Sequence, residues 1–212
     1  MNNKFFALPQ DKQKAIINSA YRVFSHNDYS KAPMSEIAAS AGISKSLLFH
    51  YFENKLSLYM YLWKLGMKLT SDETKKFKVT DTDDLFEMLT RANRAKCSLM
   101  RSHPYIYQFT LKAYYEENPA VKEHIQKIYA KAEKSSEMKV LSMINTDSLR
   151  PSIDLIYIYR LMVYAVEGYM SECFRSGNVD PDKIENDISK MIDHWKIIYG
   201  KDNENDPQDL PQ

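Results

Sequence analysis

Glycine is scarce in this chain, 5 residues in 212. Sheets joined by many tight turns draw heavily on glycine, so the scarcity argues against a β-rich or α/β fold. Only two cysteines occur, Cys97 and Cys173, each inside an apolar helical pattern. That suits free thiols in a cytoplasmic protein rather than a disulfide frame. The opening MNNKFFALPQDKQK lacks the long apolar run of a secretory signal. The longest apolar tract, Ile153 to Phe174, is interrupted by Asp154, Arg160, Glu167 and Glu172. It reads as a buried helix and not as a membrane span. Signatures of chemistry are missing as well. There is no Glu-x-x-His motif, no phosphate loop, no Gly-rich dinucleotide turn and no Cys/His set at metal-ligating spacing. His103, His124 and His194 lie far apart in sequence. The expectation is a chain that is not an enzyme and that takes no metal and no cofactor.

What is present is ordinary for a globular protein: 44% hydrophobic and 27% charged residues, enough for a real core in one or two domains. A net charge of +1 excludes a basic field over the whole molecule. The charge is nevertheless uneven. Residues 1–55 carry 7 Lys/Arg against 4 Asp/Glu, and the remainder 22 against 24. That mild asymmetry identifies no partner by itself.

Helical periodicity runs throughout, with no credible strand and no internal repeat. A first helix spans about Pro9 to Ser25, with Ile16, Ala20, Val23 and Phe24 on one face. A short second helix covers about Met34 to Ala41 and ends at Gly42, the residue best suited to a left-handed stop. Ser44 caps a third helix that runs to about Phe52. A fourth starts near Asn54 and carries Leu58, Leu62, Leu65 and Leu69. Further helices open near Asp83, at Pro104 and at Pro119 behind Asn118, and a long eighth covers about Ser152 to Arg175. The ninth opens at Asp180-Pro181 and shows one stripe of Ile184, Ile188, Met191, Ile192, Trp195 and Tyr199. The class is all-α with about nine helices. The organisation read from the chain is residues 1–54, residues 55–200 and a polar, disordered tail at 201–212.

Two short helices joined at Gly42 and braced by a longer one make a helix-turn-helix. Such a unit lays its second helix in the DNA major groove. Ser44, Lys45, Ser46 and His50 then face nucleic acid, while Leu48, Tyr51 and Phe52 pack back on the first two helices. The stretch MSEIAASAGISKSLLFHYFENKLSLY also resembles the DNA-binding signature of the TetR family of transcriptional regulators, matching it at Ile37, Ala38, Ala41, Gly42, Ser44, Leu48, Tyr51, Phe52, Lys55 and Leu58. The resemblance covers about residues 10–60. Departures bear on the contacts. Pro33 stands where the family often has a capping Thr, so Ser35 supplies the nearest hydroxyl. Ser46 replaces a common Gly, and Phe49 a Tyr that reaches a phosphate in the family. Leu47 stands where Thr is common and offers an apolar group to a thymine methyl. The expected readers are Ser44, Lys45, Ser46, Leu47 and His50, with Tyr51 and Lys55 anchoring on phosphates.

For residues 55–200 the resemblance implies an effector cavity and a dimer interface on the last two helices. Trp63, Met67, Met100, Tyr107, Leu111, Tyr114 and Tyr164 are the candidate cavity wall, suited to a mostly apolar ligand with a few polar groups. Met170, Phe174, Ile188 and Trp195 are the candidate centre of a homodimer. The function so implied is a cytoplasmic, bacterial regulator, a repressor released from an inverted-repeat operator by a small effector and without membrane attachment. The alternative is a DNA-binding structural or cell-division factor on the same fold, acting through a protein partner.

Overall fold

The periodicities settle the architecture. The computed structural model describes residues 3–126, 140–177 and 179–201. Among these it holds helices and no strand beyond one isolated bridge between Leu149 and Gly200. The helices are α1 (Asn3–Phe6), α2 (Gln10–His26), α3 (Met34–Ser40), α4 (Lys45–Phe52), α5 (Lys55–Lys76), α6 (Leu85–Ser102) and α7 (Ile106–Tyr114). Residues 119–126 form α8, followed by α9 (Leu155–Ser176) and α10 (Pro181–Tyr199). The expected all-α class is thus observed. Of the helix predicted from Pro119, residues 140–143 are again helical, while residues 127–139, and the tail from residue 202, lie outside the described residues.

Several starts are set by capping side chains. Asp154 accepts from the Tyr157 N–H at 3.0 Å to open α9, and Asp180 from the Asp182 N–H at 3.0 Å to open α10 behind Pro181. Each satisfies a donor that a helix end leaves unpaired. The α1 turn was not anticipated in the sequence. It is too short for periodicity, yet its Phe5 is fully buried, with its ring centroid 4.9 Å from Phe52 and 5.8 Å from Tyr61.

Contacts group the chain into two units, Met1–Glu73 with Ser98–Ser135, and Thr74–Cys97 with Ser136–Gln212. In the first unit, rings bring α2, α5 and α7 together. Centroids stand 4.9 Å apart for Phe24 and Tyr59, 4.9 Å for Tyr59 and Phe109, and 5.2 Å for Tyr21 and Phe109. All four side chains are buried. The Tyr21 hydroxyl donates to the Leu62 carbonyl at 2.9 Å, and burial pushes its pKa well up, so it stays a donor. Gly66 permits the close approach of α5 and α7, since a Cβ there would stand 3.2 Å from Thr110 Cγ2.

The second unit is tied by polar bonds as well as by buried Ile158, Met162, Met170, Ile184, Ile188 and Ile192. Asn93 of α6, itself buried, donates to the Glu185 carbonyl of α10 at 2.8 Å. Tyr169 of α9 donates to Asp187 of α10 at 2.8 Å. Arg150 donates to the Gly200 and Ile197 carbonyls at 3.0 and 3.1 Å, placing a cation at the C-terminal end of α10, where the helix dipole favours it.

In the first unit, His103 lies 2.8 Å from the Asn18 side-chain oxygen. Burial, and then Lys14, hold its imidazole below the ordinary pKa. The unfolded chain therefore binds a proton that the folded chain resists. This stabilisation is complete above about pH 6.5 and is lost as pH falls from there through the lower pKa of the folded chain. Thermal unfolding followed from about pH 7.5 to about pH 5 should show a steeper loss of stability in the wild type than in His103→Gln.

Candidate DNA interface

The helix-turn-helix is assembled by short-range chemistry. Extended Pro33 precedes α3 without any side-chain cap, and Ser35 is exposed on the first turn. Arg22 of α2 donates to Glu36 at 3.0 Å and to the Ser40 hydroxyl at 2.8 Å, which pins both ends of α3. Gly42 has φ +68, a conformation a side chain would strain. The Ile43 N–H then reaches back to the Ala38 carbonyl at 3.0 Å. Ser44 caps α4 as its sequence position suggested, accepting from the Leu47 N–H at 3.1 Å.

α4 has two unlike faces. Leu48, Tyr51 and Phe52 are buried. Ser44, Lys45, Ser46, Leu47 and His50 are exposed, and Phe49 is half-buried. The Lys45 ammonium lies 5.9 Å from the centre of the Phe49 ring, so Phe49 supports the lysine rather than standing alone on the reading face. Tyr51 retains only 7% exposure, with Phe5 packed 6.0 Å from its ring. A turn of two residues, Glu53 and Asn54, leads into α5. Glu53 takes φ 62, and Asn54 caps α5 by accepting from the Ser57 N–H at 2.8 Å.

Lys55, expected to anchor on phosphate, has partners inside its own unit. Its ammonium donates to the Ser30 carbonyl at 3.0 Å and lies 5.2 Å from the centre of the Tyr29 ring. Burial lowers its pKa, and the Glu116 carboxylate partly opposes this. The cation is engaged within the unit, because a carbonyl and a ring in the α2–α3 loop lie within its reach. Sequence spacing gives no sign of those partners.

The candidate cavity residues fall in different settings. Trp63 and Met100 are core residues with 1% and 0% exposure. Met67, Tyr107, Leu111 and Tyr114 are half-buried in the same unit, whereas Tyr164 belongs to the other unit and is 64% exposed. A cleft of about 510 Å³ in the first unit is lined instead by polar groups that include Asp28, Lys31, Lys112 and Glu116. The dimer candidates also divide. Met170 and Ile188 are buried within their own unit, and Phe174 and Trp195 are half-buried. The large apolar residues left exposed on α9 and α10 are Ile156, Tyr157, Leu161, Tyr164, Ile197 and Ile198. On α9, Tyr157, Leu161 and Tyr164 recur at helical spacing and form one stripe.

This is a helix-turn-helix with a solvent-facing second helix, carried on an all-helical chain. Residues 16–62 match the family model of bacterial regulatory proteins, tetR family, and that segment belongs to the family. Over 60 residues the chain is 38% identical to the transcriptional activator FasR of Mycolicibacterium smegmatis, covering 28% of this chain and 27% of FasR. The chain thus spans about a quarter of the length of that relative. The fold is that of a TetR-family regulator from Chloroflexus aurantiacus, with TM-score 0.67, 22% identity, and 95% and 99% of the two chains covered. AibR, solved with isovaleryl coenzyme A and operator DNA, aligns with TM-score 0.59 and 19% identity, covering 85% of this chain and 97% of that one. Among the described residues no helix is long and apolar enough to cross a membrane.

Replacing Ser44 by Ala removes the cap of a helix only two turns long. Urea unfolding should show a loss of roughly 1 kcal/mol, against a few tenths for Ser46→Ala on the same exposed face.

Proposed function

We propose that the chain is a homodimeric transcriptional regulator, a repressor that a small, mostly apolar effector releases from an inverted-repeat operator. One observation supports this most directly: α4 turns Ser44, Lys45, Ser46, Leu47 and His50 to solvent from a buried base of Leu48, Tyr51 and Phe52. A surface helix packed only for stability has no need of a Gly-turn partner helix at that fixed spacing. In the groove, Lys45 and Ser46 meet base edges or phosphates near the helix start, Leu47 meets a thymine methyl, and His50 a phosphate. Ser35 serves the backbone from the start of α3.

The homodimer face on this reading is the exposed stripe of α9, Tyr157, Leu161 and Tyr164, with Ile197 and Ile198 of α10. Exposed apolar residues in a continuous stripe mark an association surface. Two copies present two reading helices, so half-sites lie about one helical turn or a multiple apart. That AibR was solved with isovaleryl coenzyme A makes the short apolar acyl chain of such a thioester the first effector moiety to try. The half-buried Met67, Tyr107, Leu111 and Tyr114 are the residues proposed to meet the ligand. α5 begins at the reading unit and carries Met67, so a ligand there acts by favouring the half-site spacing that does not fit DNA.

Selection of random duplexes with the purified chain should recover an inverted repeat. Lys45→Ala should then weaken operator binding, either with a salt slope lower by about one if it meets phosphate or at a cost of roughly 1–3 kcal/mol at one base position. Leu161→Asp should give a monomer in sedimentation equilibrium that binds the operator poorly. Recovery of no duplex at all, or of a site without symmetry, would remove this reading.

A further inference from the structure

The loop between α2 and α3, residues 27–33, sets where the reading helices stand relative to α2. Side chains from three other elements hold it. The Tyr29 N–H donates to one carboxylate oxygen of Glu116, in the turn after α7, at 2.8 Å. The second oxygen accepts from the Asn118 N–H at 3.0 Å, which fixes the carboxylate's orientation. Lys112 of α7 lies 3.3 Å from one oxygen of Asp28, while Lys31 takes the other at 3.2 Å. From α5, Lys55 holds the Ser30 carbonyl, and Tyr59 packs edge-on against the Tyr29 ring at 5.1 Å. These bonds are not equal. The Asp28 pairs are exposed and weak. The bond from a backbone N–H to a fixed, half-buried carboxylate is charge-assisted and stronger.

We propose that Glu116 is a positioning residue for DNA binding, clasping the α2–α3 loop so that α3 and α4 are held in the orientation the operator requires. The inference rests on the DNA-binding reading above and assigns one of its controls to the turn between α7 and α8. With the clasp open, the loop and the helices it carries sample other orientations. Operator affinity then falls by the fraction of molecules still correctly posed. No phosphate contact is lost, so the number of released counterions does not change.

The test measures operator affinity by fluorescence anisotropy across salt, using the full chain and the duplex recovered by selection. Glu116→Ala should bind about tenfold more weakly with the wild-type salt slope. Glu116→Gln, whose amide oxygen still accepts from Tyr29, should stay within about threefold of wild type. Lys55→Ala should also weaken binding without altering the slope, as a brace does and a phosphate contact does not. Wild-type affinity in Glu116→Ala, even with a lowered melting temperature, overturns the proposal, because that is the result of a merely structural role. Should Glu116→Ala lose its helical circular dichroism, hydrogen exchange in the wild-type protein decides. Operator must slow exchange of the Tyr29 amide, and an unchanged rate overturns the clasp. Failure of the wild type to bind any duplex is visible before any variant is made and removes the DNA-binding reading with it.

Discussion

Within the first unit, everything about the reading helices depends on how α2 is seated against α5 and α7. That seat is aromatic. Tyr21, Phe24, Tyr59 and Phe109 meet at centroid distances near 5 Å with almost no exposure. Each such pair contributes about 0.5–1.5 kcal/mol beyond the area it buries. The exposed Arg22–Glu36 pair contributes at most about 1 kcal/mol and orients α3 rather than holding the unit together. The Tyr21 hydroxyl adds register. Its bond to the Leu62 carbonyl fixes the position of α2 along α5, which burial of rings alone does not specify.

Charge is used in two ways around this core, and exposure separates them. Lys45 stands in solvent over the Phe49 ring, so its ammonium is available to a polyanion at little desolvation cost. Lys55, ten residues on, is half-buried against Ser30 and Tyr29, and burial has already lowered its affinity for a proton. Moving it to a phosphate would break an internal bond and strip a carbonyl of its donor. The same residue type therefore stands in opposite settings within one helix-turn-helix.

The parts of the fold that local rules determine were legible in the sequence. Gly42 needed a left-handed turn, Ser44 needed an amide to cap, and the spacing from Ile37 to Phe52 assigned inward and outward faces of α4 correctly. Nonlocal partners were not legible. Phe5 sits in a single turn ahead of Pro9, where no periodicity can signal burial. Lys55 finds a carbonyl in a loop 25 residues earlier. On α9, apolar residues occupy nearly every side, so periodicity could not tell the buried Met170 from the exposed Leu161. Burial of the cavity candidates was illegible for a related reason. Trp63 and Met100 satisfy the same pattern whether they line a cavity or fill a core.

The reading helix is too short to be stable alone, since helices of two turns do not persist in water. Its stability comes from Leu48 and Phe52 in the core and from the Ser44 cap. Its far end runs straight into α5. The Glu53 N–H bonds back to the Phe49 carbonyl at 2.7 Å, the Asn54 N–H to the Phe52 carbonyl at 2.6 Å, and Glu53 takes φ 62. A two-residue turn with both amides engaged, one residue of it left-handed, has little freedom to bend. Tilting of α4 is therefore coupled to α5 through this turn. Any change in its presentation must involve α5 itself or the α2–α3 loop, and in that loop the strongest bond to the turn after α7 is the one Glu116 accepts from Tyr29.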